Sequence, residues 1–231
     1  MNDTFLGNVN YIISFYNGKR RHYSGKSNWR TFLDSHINFI KNNMIDIGMV
    51  TFVVSWSKDN SVDDNEMIRY IESLRLPFNY EIYTRVNGGF SYGSFADVIK
   101  KNYNDYDYSF VIEDDYIPAL PNFMEYFLKK FEGQVVYVPS LYINDHASIC
   151  NGMIDNVLLR GHINLLGDYI GNDYLKGGTQ NQLRFMKEYE SIGYQYNDIT
   201  DTAYTEFLHI SGKIIKYGNE NGPLIMKPLR I

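Results

Sequence analysis

Three adjacent acids close an apolar run in "YSFVIEDDYIP", Tyr108 to Pro118. Glu113, Asp114 and Asp115 repel one another and raise one another's pKa unless a cation or a donor-rich ligand neutralises them. The cluster therefore either sits in free solvent or holds something. Hard carboxylate oxygens suit Mg²⁺ or Mn²⁺, ions that take one or two carboxylates and complete their shell with phosphate oxygens and water. A nucleoside diphosphate is the natural third party at such a site.

The elements that must position these acids alternate in type. Strands are expected at Val9 to Tyr16, Met49 to Trp56, Tyr80 to Arg85, Tyr108 to Glu113 and Gln134 to Ser140, near-continuous apolar runs that suit a parallel sheet covered on both faces. Between them Trp29, Phe32, Leu33, His36, Ile37 and Ile40 share one helical stripe, as do Met67, Ile68, Ile71 and Leu74, and then Phe95, Ile99 and Tyr103. The order βαβαβαβ gives an α/β fold. Ligands of an open parallel sheet bind beyond the carboxyl ends of its strands, so that edge would gather the acids with Ser14 to Asn17, Ser57 to Asp59 and Arg85 to Gly89. Pro121 can open a further helix. The chain after Ser140 reads as irregular, with helices expected again at Gln180 to Ser191 and Thr202 to Ser211, the second closed by Gly212.

Composition narrows the class. With 231 residues, 44% of them hydrophobic, the chain can build one sizeable core, and no linker or charge block divides it. A net charge of -5 gives no general pull toward nucleic acid or an anionic membrane, so an anionic ligand needs a local device such as a metal or a helix N-terminus. Cys150 stands alone, which rules out an intramolecular disulfide. Neither a signal peptide nor an apolar run long enough to span a bilayer is visible, and a cytoplasmic location is expected.

Four stretches in chain order resemble the nucleotide-diphospho-sugar transferases of the GT-A fold, in particular the family-two-like inverting glycosyltransferases. They are "YIISFYNGKRR", "VVSWSKDNSVDDNEMI", "VNGGFSYGSFADVI" and "SFVIEDDYIP", covering roughly the first 140 residues. The resemblance implies an open, mostly parallel sheet flanked by helices. Residues 1–140 would form the nucleotide-binding half and 141–231 an irregular acceptor-binding half. It also implies a Mn²⁺ or Mg²⁺ ion on Asp115 with Glu113 beside it, and Asp114 close to the ribose or donor sugar. Asp59, with Asp63 as its rival, would meet the base or ribose, while Ser14 and Tyr16 end the first strand at the nucleotide. Asn87 and Gly89 would shape the turn beside the nucleotide, with Arg85 as a base or phosphate contact. "DITDTAYTEFLHISGKIIKYG" resembles the family's acid-bearing helix followed by a glycine-led strand, which puts Asp201 where the catalytic base sits, although Thr200 replaces the usual Glu. The implied reaction is transfer of a sugar, from a UDP-sugar by family prevalence, to a glycan or other hydroxyl acceptor.

Plainer readings of the same residues stand beside these. An acid cluster can be a solvated turn, "NGGF" can be a tight turn alone, and Asp201 is equally suited to cap a helix beginning at Thr202. A sugar nucleotidyltransferase would need a Gly-rich, Arg-containing loop after the first strand, where "SFYNGKRR" has one glycine. A module that binds sugar or nucleotide without catalysis is the remaining rival. "SGKS" at Ser24 to Ser27 lacks the first glycine of a phosphate loop, and no zinc or serine-hydrolase motif is present.

Overall fold

The computed structural model describes residues 8–16, 29–42, 47–56, 64–114, 116–118, 124, 135–138, 142–143, 146–147, 152–167, 180–191, 195–198, 206–209 and 213–216. The first half alternates as foreseen: β1 Val9–Tyr16, α1 Trp29–Asn42, β2 Ile47–Trp56, α2 Asp64–Ser73, β3 Tyr80–Val86, α3 Phe90–Asn102 and β4 Tyr108–Glu113. Short elements follow: β5 Tyr116–Pro118, β6 Val135–Val138, β7 Tyr142–Ile143, β8 His146–Ala147, β9 Gly152–Asp155, α4 Asn156–Leu159, a 3-10 turn at Ile163–Leu166, α5 Gln180–Ser191, β10 Gln195–Asp198, β11 Glu206–His209 and β12 Lys213–Lys216.

Seven strands form one sheet in the order β10, β6, β9, β4, β1, β2, β3. All neighbours are parallel except β9, which runs antiparallel to β4 and β6. A second sheet of three antiparallel strands joins β12, β11 and β5, and β7 pairs with β8. Among the described residues no helix is long and apolar enough to cross a membrane.

Strand periodicity sorts the side chains onto two faces. Tyr11, Ile13 and Phe15 of β1, Val50, Phe52 and Val54 of β2, and Phe110 and Ile112 of β4 pack with the α1 stripe and with Met67 and Ile71 of α2. All six foreseen stripe residues of α1 are buried. The alternate residues Ile12, Val53 and Val111 meet Phe95, Ala96, Val98 and Ile99 of α3 on the other face. Burying one such side chain contributes about 1.5–3 kcal/mol, so the central strands anchor the domain from both sides.

Two expectations are corrected. The helix foreseen over Thr202–Ser211 is a strand over its described residues: Glu206–His209 pairs with Lys213–Lys216 on one side and Tyr116–Pro118 on the other. Backbone ladders on both edges override a local helical pattern, and three residues ending in Gly212 separate β11 from β12, a length that suits a hairpin. Asp201 and Gly212 lie outside the described residues, as does the helix opening at Pro121 apart from Met124, which is helical and fully buried. The second correction is β9, a central strand in a stretch that read as irregular. Its Met153 and Ile154 are buried against both neighbouring layers.

A polar layer crosses the amino-terminal end of the α3 face. Glu81 accepts from Lys101 Nζ at 2.6 Å and from Asn102 Nδ2 at 2.7 Å, while Thr51 Oγ1 lies 3.0 Å from Glu81 and 2.8 Å from Asn10 Oδ1. Burial pushes the Glu81 carboxyl up, but the bonds from Lys101, Asn102 and Thr51 together outweigh it and hold the group below its ordinary 4.5. A carboxylate held low in the folded state contributes stability above the unfolded pKa and loses it as pH falls through the folded one. Thermal unfolding across acid pH should therefore show wild-type stability falling below about pH 4.5, with Glu81→Gln less stable at neutrality and flatter in this range. An identical acid slope in the variant would remove Glu81 from the explanation.

Candidate active site

The α3 face becomes polar again at the carboxyl edge. Ser14 lies level with Glu113, while Tyr16, Ser55 and Arg85 form the next row across β1, β2 and β3. Ser91, Ser94 and Asp97 of α3 face this rim. Ser55 and Ser94 share a hydrogen bond at 3.1 Å, and Ser91 Oγ donates to Glu113 Oε1 at 2.6 Å.

The acid turn is built from β1, β4 and α1. Asp114 is 2% exposed. Its N–H donates to the Ser14 carbonyl at 3.2 Å, its carboxylate Oδ2 accepts from the Tyr16 N–H at 3.4 Å, and its carbonyl meets His36 Nε2 at 3.0 Å. The environment of the cluster thus differs from either simple expectation. Asp114 is folded beneath the edge with backbone partners, whereas half-buried Glu113 is held from the side by a helix hydroxyl.

Beside it, the turn from β3 into α3 is held from below by Arg85, which is 6% exposed. Its Nε donates to Asp97 at 2.8 Å, its Nη2 to the Gly88 carbonyl at 2.8 Å, and its Nη1 to Ser94 Oγ at 3.4 Å. These bonds hold the guanidinium inside the turn. Asn87 N–H donates to the Trp56 carbonyl at 2.8 Å and ties the turn to the end of β2. Gly89 sits at φ 70, a left-handed conformation that costs little only without a Cβ, and Phe90 follows at φ 54, a strained value for a side-chain-bearing residue. Gly93 permits the close approach of the whole turn, because a Cβ there would lie 1.9 Å from the Gly88 carbonyl oxygen.

Of the residues foreseen for the site, the structure gathers Ser14, Tyr16, Glu113 and Asp114 at one joint and Arg85, Asn87 and Gly89 at the next. The Ser91–Glu113 bond couples the two. Asp59, Asp63, Asp115 and Asp201 lie outside the described residues. Ser91, Ser94, Asp97 and His36 were missed as parts of this rim. Their signal was small polar residues three apart in "FSYGSFAD" and one ring nitrogen pair in an otherwise apolar stripe. Among the described residues no group of three His, Cys, Asp or Glu side chains converges on a metal position. Among the described residues, the half-buried Glu113 carboxylate is a hard oxygen donor of the right chemistry at the rim.

No family model matches the chain, and no curated protein matches it. Solved structures do. A mannosyltransferase, PcManGT from Pyrobaculum calidifontis in complex with GDP-Man and Mn²⁺, aligns with TM-score 0.55 at 10% identity over 84% of this chain. S. aureus TarS residues 1–349 in complex with UDP align with TM-score 0.53 at 12% identity over 83% of this chain, and 4-diphosphocytidyl-2C-methyl-D-erythritol synthase from Anaerococcus prevotii with TM-score 0.52 at 10% identity over 83%. The chain spans 55% of the mannosyltransferase, 58% of the TarS fragment and 86% of the synthase. The likeness is one of fold.

Gly93→Ala tests the turn. Its Cβ must displace backbone, so a loss of about 1–3 kcal/mol in chemical denaturation is expected. Gly161→Ala, where a Cβ meets nothing within 4 Å, serves as the matched control and should change little. Equal stability of the two variants would contradict the packing described for Gly88 and Arg85.

Proposed function

We propose, from the premise of a GT-A-like nucleotide-sugar transferase fold, that the chain is a metal-dependent glycosyltransferase. It moves a sugar from a nucleotide-sugar donor, a UDP-sugar in this reading, to a hydroxyl acceptor with inversion. The observation that carries the reading is the acid-ended β4 braced against the β3–α3 turn at the carboxyl edge of the sheet, where an open α/β sheet binds its ligands. The neighbours that hold GDP-Man with Mn²⁺ and UDP support a nucleotide donor and a divalent ion. The protein works in the cytoplasm on this reading, and residues beyond about 141 supply the acceptor side.

Glu113 and Asp115 would hold the ion, with the Ser91 hydroxyl fixing the Glu113 carboxylate. When bound, the ion would offset charge developing on the departing diphosphate. Ser14, Tyr16 and Asp59 flank the nucleoside, with Asp114 beneath them holding the Tyr16 N–H, and Asn87 and Gly89 present the backbone of the turn, held by Arg85. The N-terminus of α3 adds a favourable end for phosphate. The acceptor hydroxyl oxygen attacks the anomeric carbon, its proton passes to the Asp201 carboxylate, and the bond from that carbon to the diphosphate oxygen breaks with its electron pair leaving on the nucleotide. One displacement inverts the carbon.

Calorimetry with UDP should show tighter binding with Mn²⁺ than without. Asp115→Ala should abolish that difference while apo stability holds or rises, since one acid leaves a crowded cluster. Unchanged Mn²⁺ assistance in the variant would exclude Asp115 as a ligand. Asp201→Asn keeps the size and polarity of the side chain, so donor binding should survive while transfer falls by about 10²- to 10⁴-fold. Near-normal transfer would move the base to Asp198, the last residue of β10, or Glu206, the first of β11. Nucleotide binding with no turnover of a broad donor panel by the wild type would instead mark a binding module.

A further inference from the structure

Histidine is out of place on the stripe that α1 presents to the core. His36 is fully buried, with its ring edge-on to Phe15 at 6.0 Å and to Tyr11 at 6.3 Å. A buried imidazole is costly unless both nitrogens find partners. Here Nε2 lies 3.0 Å from the Asp114 carbonyl oxygen, and Nδ1 lies 3.5 Å from the Tyr11 hydroxyl. A backbone carbonyl can only accept, so Nε2 carries a proton, and in the neutral imidazole Nδ1 accepts from Tyr11. Burial also pushes the Tyr11 phenol well above its ordinary pKa, which keeps it a donor. With a neutral ring the bonds run from the Tyr11 hydroxyl to His36 and from His36 to the Asp114 carbonyl.

We propose that His36 is a positioning residue for the acid turn: from the core side, its Nε2–H holds the Asp114 carbonyl and so fixes Asp114 beneath the edge at the end of β4, next to the Glu113 carboxylate. This rests on the proposed metal and nucleotide reading of that turn. Two bonds draw Asp114 toward β1, through the Ser14 carbonyl and the Tyr16 N–H. The His36 bond comes from another layer, α1, and meets the Asp114 carbonyl oxygen. An apolar residue would satisfy the stripe equally well, so the stripe does not account for the imidazole.

The test separates this role from packing, using the full apo chain labelled with ¹⁵N. His36→Gln carries an amide nitrogen at about the reach of Nε2, His36→Asn reaches only the Nδ1 position, and His36→Leu fills the space without a donor. Amide exchange of Asp114 and Tyr16, read relative to core amides of β2, should quicken about tenfold in His36→Leu and His36→Asn, the equivalent of one lost hydrogen bond, and recover in His36→Gln. If His36→Leu does not fold, the Gln and Asn pair decides the point alone. Unchanged exchange at Asp114 and Tyr16 in the Leu and Asn variants would overturn the proposal. So would a uniform loss of protection across the sheet that Gln fails to restore. The Mn²⁺-assisted affinity for UDP should follow the same order, Gln close to wild type and Leu about tenfold weaker. A wild type with no Mn²⁺-assisted affinity would defeat the functional reading, while the apo exchange data would still decide whether His36 positions the turn.

Discussion

The Asp114 N–H that donates to the Ser14 carbonyl is the bond on which the edge of this sheet depends. It extends the β1–β4 ladder one residue past the strand end, into a segment where three acids in succession would otherwise push the chain toward solvent. Asp114 tolerates near-complete burial because each face of it is met: by the β1 carbonyl, by the Tyr16 N–H and by the ring nitrogen of His36. A buried charged or polar group without such partners would cost several kcal/mol, enough to expel the turn. Held in place, the turn keeps Glu113 at the rim, where Ser91 meets it.

The two faces of the sheet divide the labour. Toward α1 and α2 the central strands β1, β2 and β4 present apolar and aromatic side chains, and His36 is a polar residue of α1 beneath the acids. Toward α3 they are banded: Asn10, Thr51 and Glu81 at one end, Ile12, Val53 and Val111 in the middle, Ser14, Ser55, Arg85 and Glu113 at the carboxyl rim. The apolar band docks α3, and the rim then meets the serines and Asp97 on its first turns. Arg85 shows how rigidly this is done. Its paired, buried guanidinium fixes a turn whose next residues take left-handed backbone angles, strain that the surrounding hydrogen bonds must hold.

Much of this was legible in the residues. Long β-rich runs and the α1 stripe announce themselves because burial repeats with the period of the element, and Glu113 and Asp114 fell at the carboxyl edge because topology puts them there. What escaped the sequence is whatever depends on a distant partner. β9 and β11 have four residues each, too few for a period, and exist through the strands on either side of them. The role of Arg85 turned on Asp97, twelve positions away, which no local pattern links to it. The burial of Asp114 needed α1, and His36 read as one more member of a stripe until the Asp114 carbonyl was found opposite it.

Manganese anomalous scattering from crystals grown with UDP and Mn²⁺ tests the central claim most directly. The expected result is an anomalous peak at the end of β4, within coordination distance of a Glu113 or Asp115 carboxylate and of the diphosphate, with the nucleoside lying along the ends of β1 and β2. A nucleotide bound away from this edge, or bound here with no anomalous peak beside the acids, would contradict it.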